Sequence, residues 1–365
     1  MVGSPAIQQG FGSSYAHLTL ALLLVPSLVA MVLEPVLFLL ADRHARRPFV
    51  IGGLVAMAAG SFAAALAPNV AVLAVAEAAG GIAAGCAVTL AQASLVDAAP
   101  TRREQVMARW VLFGLAGDLV APLLFAALAW AALGWRATFA VAGGAVLLCA
   151  LAVARHPFPP PANIAAEEDE PGLLAALRCA AGNRRLLLWL AGRALCDLLD
   201  EILVVFAALH LRDLGLGAGA RSAVLIGFVV GGAIGVAAAL RLVERIAPLR
   251  ILFASAVACA GLYLAWVAVD IAWLSIVLFT LVGMTAAPLY PLATAQAYAV
   301  LPGRSGAVNA AAVLFDPVVM VLPWLLGLVA DAYGTTAALL LLAAQPIGLA
   351  IISIASRSGS PRRCR

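Results

Sequence analysis

The sequence predicts an all-α polytopic membrane protein with 11 spanning helices. Three observations carry that expectation. The 365 residues are 65% hydrophobic and only 11% charged, whereas a soluble domain carries about 25% charged residues. The apolar residues fall in runs of the length needed to cross a bilayer as a helix, about 20 residues. The basic residues gather in the short gaps between those runs.

The expected spans are 16–40, 49–67, 71–98, 106–131, 136–154, 186–211, 222–242, 250–268, 272–299, 305–330 and 334–354. Arg43, Arg46 and Arg47 separate the first two, and Arg102 and Arg103 precede the fourth. Arg136 opens the fifth and Arg155 follows it. Arg212 and Arg221 bracket the gap before the seventh, and Arg241, Arg245 and Arg250 mark the gap before the eighth. Arg304 precedes the tenth and Arg357 follows the last. The spans 106–131 and 186–211 carry internal charges. Between 155 and 185 lie Pro157, Pro159, Pro160 and Pro161, then Glu167-Glu168-Asp169-Glu170. Proline and clustered acid build no buried core, so this stretch reads as a linker. The expected domains are a five-helix bundle at 1–154, a cytoplasmic linker at 155–185, and a six-helix bundle with a short basic tail at 186–365.

The arginines also set the orientation. All 22 basic residues are Arg. With the gap after residue 40 in the cytoplasm, 18 of them fall on the cytoplasmic side, Arg136, Arg212 and Arg221 on the other, and Arg193 inside a span. That bias follows the positive-inside rule and puts the C-terminus in the cytoplasm and the N-terminus outside. The absence of lysine, with heavy use of Ala, Leu, Gly and Val, suggests a GC-rich bacterial genome, and so the bacterial cytoplasmic (inner) membrane.

Several function classes are excluded. The net charge of +4 comes from dispersed arginines, which argues against a nucleic-acid partner. A phosphate-binding loop needs a lysine that the chain lacks. His17, His44, His156 and His210 have no metal-site spacing, and no Gly-x-Ser-x-Gly turn occurs. The six cysteines have neither metal nor disulfide spacing. No enzyme activity, cofactor or metal is expected, and no cleavable signal peptide.

Charges at membrane depth point to function by default. Arg193, Asp197, Asp200 and Glu201 share one helix face by their spacing. Two readings stay open: a carboxylate cluster that binds a cation or carries protons, or an Arg193–Asp197 pair with Asp200 and Glu201 solvated. Asp118 and Asp316 are each followed by a proline, Pro122 and Pro317, which can bend a helix and free a carbonyl. They serve a pathway or a hydrogen-bonded helix contact. Glu34, followed by Pro35 inside the first span, and Glu77, which precedes Gly80, Gly81 and Gly85, are further candidates for the same pathway. Gly227, Gly231 and Gly235 line one face at a spacing of four, which suits close helix packing.

The halves echo one another. Thr89-Leu90-Ala91-Gln92-Ala93 is matched by Thr294-Ala295-Gln296-Ala297, and Val111-Leu112-Phe113 by Val313-Leu314-Phe315. Asp42-Arg43 is matched by Glu244-Arg245. Such order suggests parallel repeats.

The run Asp42-Arg43-His44-Ala45-Arg46-Arg47 resembles the loop after the second helix of major facilitator superfamily (MFS) transporters, G-x-x-x-D-R-x-G-R-R, with Phe38 and Ala45 at its two glycine positions. The resemblance implies an MFS-type two-bundle fold, here five helices plus six, with the family's first helix, which would precede residue 14, expected to be missing from this sequence. It implies a secondary transporter of a small-molecule substrate, working by alternating access in the lipid bilayer as a monomer. It implies that Asp42, Arg43, Arg46 and Arg47 form a cytoplasmic gate. Proton-coupled efflux of an amphipathic or cationic compound, in the manner of an antiporter, is the first expectation. The alternative is a non-transporting membrane protein, receptor-like or a truncated remnant. Glu77 stands where proton-coupled relatives often carry an Arg, so that coupling residue is not carried over.

Reporter fusions within 155–185 and after Arg365 are expected to read cytoplasmic. Opposite readings from the two would mean a wrong helix count in the second half.

Overall fold

The structure, a computed structural model, describes residues 7, 11–12, 25–131, 133–156, 158, 178, 180, 182–197 and 202–356. These residues form α1 (Val25–Arg43), α2 (Arg46–Leu66), α3 (Val70–Ala98), α4 (Arg103–Trp130), α5 (Trp135–Ala154) and α6 (Arg184–Asp197). They continue as α7 (Leu203–Asp213), α8 (Ala218–Leu242), α9 (Pro248–Val267), α10 (Ala272–Val300), α11 (Ser305–Tyr333) and α12 (Thr335–Ala355). No strand occurs among the described residues.

Eight helices among the described residues are long and apolar enough to cross a membrane: α2, α3, α5 and α8 to α12. Their ends fall close to the expected spans, because hydrophobic length is written along the chain. The count of 11 is not reached by that measure. The three other expected spans fall on α1, on α4 and on the α6–α7 pair, where the described residues or side chains are incomplete. The expected start at 16 and most of the 155–185 linker lie outside the described residues.

The chain forms two compact units. Unit 1 comprises Met1–Ala98, Ala116–Leu177 and Gly303–Ala310; unit 2 comprises Ala99–Leu115, Arg178–Pro302 and Ala311–Arg365. Two helices therefore change unit along their length, α4 after Leu115 and α11 after Ala310.

In unit 1, α2 packs along α3 and α5, and α1 along α3. Helix association in lipid depends on close van der Waals contact, which small residues permit. Gly53 and Gly60 provide it on α2. A Cβ at Gly53 would lie 2.9 Å from the Ala83 carbonyl oxygen, and one at Gly60 would lie 3.0 Å from the Gly80 Cα. α3 carries one π-turn, Gly85–Thr89. The Glu34 carboxylate lies where a Cβ on Gly85 would be. At one end, Ile7, Ala64, Ala67, Val70, Leu73, Ala76 and Trp135 form an apolar cluster. Arg136 closes it, donating to the Ala67 carbonyl at 2.6 Å with its guanidinium 4.4 Å from the Trp135 ring.

In unit 2 the tightest seam joins α8 to α10. A Cβ on Gly231 would run into the Thr280 carbonyl, one on Gly235 into the Met284 carbonyl, and one on Gly283 into the Phe228 carbonyl. The backbones thus meet with no side chain between them. Phe228 packs on Phe279 at 4.9 Å, and Phe279 on Trp266 at 4.3 Å. Buried aromatic heads need partners. Trp266 Nε1 donates to Ser275 Oγ at 2.8 Å, and the Tyr263 hydroxyl donates to the Leu339 carbonyl at 2.7 Å. α6 packs on α10 and α12, and α7 on α8 and α12.

Gly231→Leu is expected to force α8 and α10 apart and destabilise the fold by about 1–3 kcal/mol or more. Gly261→Ala, on a part of α9 where nothing lies within 4 Å of the added carbon, is expected to be neutral or to stabilise by up to about 1 kcal/mol. Thermal unfolding of both variants in detergent checks the contrast.

Candidate functional site

The most completely determined polar cluster lies in unit 1, where α1 ends and α11 begins. Asp42, near the end of α1, accepts from the backbone N–H of Gly306 at 2.9 Å through Oδ1 and from that of Ala307 at 2.8 Å through Oδ2. The first N–H groups of a helix have no partner within it, and they sit at its positive end. A carboxylate from α1 supplies that partner. Arg46, one turn on, donates to Asp42 Oδ1 at 2.8 Å and to Asp97 Oδ2 at 2.7 Å. Asp97 also accepts from Ser305 Oγ at 2.6 Å. The three charged side chains are 13–15% exposed. Burial pushes the Asp42 carboxyl above its ordinary value, while Arg46 and the two N–H groups pull it down.

Backbone shape makes this cluster possible. Gly303 takes a φ of 78°, turning the chain into α11. Gly306 has no side chain to spare: a Cβ there would lie 2.6 Å from Asp42 Oδ1 and would run into the Phe38 carbonyl. Arg47 points elsewhere and donates to the Ala154 carbonyl at 2.7 Å, at the end of α5. Arg43 lies in α1, its side chain outside the described set. The position matched to it by sequence, in unit 2, is milder. Gln105 donates to Glu244 Oε1 at 3.2 Å, and Gln296 donates to Glu104 Oε1 at 3.1 Å.

A second charged group lies in unit 2. Arg193 on α6 lies with its guanidinium carbon 5.7 Å from the centre of the Tyr290 ring. Asp197, Tyr298 and Asp316 are within its electrostatic reach. Asp316 is half-buried on α11, where the helix changes form. Ser305–Ala312 is α-helical, Val313–Phe315 is a 3₁₀ turn, and the α form resumes at Asp316. Pro317 explains the change: it has no N–H for the Val313 carbonyl, and its ring crowds that carbonyl.

The structure therefore brings Arg193, Asp197 and Asp316 into one unit, and Asp42 and Arg46 into one cluster. Glu34 lies against Gly85 of α3, and Glu77 is half-buried further up α3. Asp118 lies in α4, its side chain outside the described set, and Asp200 and Glu201 lie outside the described residues. Sequence reasoning missed Asp97, Ser305, Gly306 and Tyr290. Ser305 at the start of an apolar run is the residue type that opens helices, which is the one local signal that could have marked that position.

Helices of spanning length that carry ionisable side chains, tied at one end by a charged cluster, fit a multi-pass membrane transporter. The chain belongs to the Major Facilitator Superfamily, whose family model matches residues 1–316. It is a transporter and not an enzyme. The crystal structure of the MFS transporter FucP in the outward conformation superposes with a TM-score of 0.77 at 18% identity, covering 98% of this chain and 94% of that one. A variant of the E. coli fucose:proton symporter FucP gives 0.76 at 18% identity, over 98% and 93% of the two chains. At this identity the likeness establishes the fold alone. No curated protein matches the chain.

Asp42 and Asp97 share Arg46, so their substitutions should not add. A double-mutant cycle on Asp42→Asn and Asp97→Asn, read by thermal unfolding, is expected to give a coupling of about 0.5–3 kcal/mol. Additive losses would mean two independent contacts.

Proposed function

We propose that this protein moves a small solute across the bacterial cytoplasmic membrane by alternating access, with protons as the coupling ion. The observation that carries the reading is the half-buried Arg193–Asp316 group, with Arg193 beside Tyr290, because ionisable residues at membrane depth mark pathways. Asp197 belongs to the same group, and Asp118, Asp200, Glu201, Glu34 and Glu77 are further pathway positions. Carboxylates outnumber the single intramembrane arginine, which favours a cationic or amphipathic cargo and efflux by exchange for protons. The chain acts as a monomer in the bilayer with its C-terminus in the cytoplasm, as the arginine bias supports. The lock of Asp42, Arg46 and Asp97 on the start of α11 closes the cytoplasmic side, and Arg43 and Arg47 belong to its loop.

The test uses purified protein in liposomes with an imposed pH gradient and a trapped pH-sensitive dye. Addition of lipophilic cations from a defined panel is expected to dissipate the gradient. Asp316→Asn should reduce that rate at least about tenfold, the loss expected when a group stabilising a transport step by about 1.4 kcal/mol is removed. Equal rates in Asp316→Asn and the parent protein, at equal insertion, would remove Asp316 from the coupling route.

A further inference from the structure

We propose that the 3₁₀ turn Val313–Phe315 is a hinge that transmits the state of Asp316 to the lock on Asp42. The inference rests on the reading of the Asp42 cluster as a gate and of Asp316 as a pathway residue, and goes beyond both. α11 holds the two sites on one continuous backbone. Its first stretch, Ser305–Ala312, supplies the N–H groups of Gly306 and Ala307 to Asp42 and the hydroxyl of Ser305 to Asp97. Its second stretch opens with Asp316, within electrostatic reach of Arg193. Only the turn separates them.

Three features mark this turn as the yielding element. The change of compact unit falls just before it, after Ala310. Pro317 removes the hydrogen bond that would close the helix across the turn, so bending there breaks one bond fewer than elsewhere. The turn also packs against α6, the helix that carries Arg193. The repeat-related helix is the internal control. Val111-Leu112-Phe113 in α4 is the same tripeptide, is followed by Gly114 rather than Asp-Pro, and remains α-helical. The tripeptide does not make the turn; the Asp316-Pro317 pair does.

The direction of the effect follows from the charges. An ionised Asp316 is drawn to Arg193 and also favours the positive start of its own helical stretch. Both attractions fix the far side of the turn. When Asp316 is neutral they weaken together, the turn relaxes, and the first stretch loses the fixed end against which it is held to Asp42. Neutralising Asp316 therefore loosens the lock without touching it.

Amide hydrogen exchange across 305–312, in full-length protein in nanodiscs at one pH, reads this directly and needs no substrate. Asp42→Asn is expected to speed exchange at Gly306 and Ala307 about tenfold, the loss of roughly one charge-assisted hydrogen bond. Asp316→Asn is expected to speed it by about threefold or more from the other side of the turn. In a Pro317→Ala background, which restores the missing N–H and stiffens the helix, Asp316→Asn should have less than about a twofold effect. Pro317→Ser restores the same N–H and serves if Pro317→Ala does not insert. Faster exchange in Asp42→Asn but not in Asp316→Asn overturns the hinge alone. An Asp316→Asn effect that survives removal of Pro317 overturns it as well. Unchanged exchange in Asp42→Asn overturns the gate reading on which the hinge depends.

Discussion

A charge taken out of water must be met by an opposite charge or by polar donors, and that requirement shapes this protein wherever function concentrates. Asp42 is met by one guanidinium and two backbone N–H groups. Arg46 is met by two carboxylates. Each partner is needed because burial works against the ionised carboxyl, as the upward push on Asp42 shows. Such clusters roughly balance desolvation against attraction, yet lose heavily when one member is removed. The intact cluster therefore holds without great net stability but does not tolerate a missing partner, the balance that the proposed gate requires.

The same requirement meets two kinds of backbone. Along α8 and α10, Gly231, Gly235 and Gly283 let one backbone rest on the other, and the Thr280 side chain fills the space beside Gly227. Motion there would have to break many close contacts at once, so the seam behaves as a rigid block. α11 is the opposite case. It gives up a helical hydrogen bond at Pro317 and places a charge beside the break. A helix in lipid cannot leave backbone groups unsatisfied without neighbours that compensate, and here the break is shortened to a single 3₁₀ turn.

Much of the fold was legible along the chain because spanning length and apolar content are local properties. The expected spans 49–67 and 136–154 differ from α2 and α5 by only a few residues at either end. Asp42 and Arg46 were legible as an acid before arginines in a membrane gap. Their partners were not. Asp97 lies 51 residues from Arg46, and Gly306 lies 264 residues from Asp42. A single sequence does not pair such positions, and Asp97 reads locally as one more helix-end acid. Arg47 shows the converse. Its spacing suggested the gate, but its guanidinium serves the end of α5. The glycine spacing on α8 announced close packing, while the identity of α10 as its partner depended on the three-dimensional fold.

The helix starts of α11 and α4 also differ in how they answer one problem. At the start of α11 a carboxylate, a guanidinium and a second carboxylate form one connected cluster. At the start of α4 the carboxylates of Glu104 and Glu244 each receive a neutral amide, from Gln296 and Gln105. The Arg46 contacts are the shorter, 2.7 and 2.8 Å, against 3.1 and 3.2 Å for the two amide contacts. The shorter contacts lie at the start of the helix with the break, and the longer ones at the start of the helix without one. A continuous helix holds its end in place through its own backbone and needs little from its neighbours. A broken helix does not, so its end is held only as firmly as its side-chain partners hold it. On the hinge proposed above, the charged cluster and the 3₁₀ turn are two halves of one design, in which the end of α11 is held by contacts that can be released.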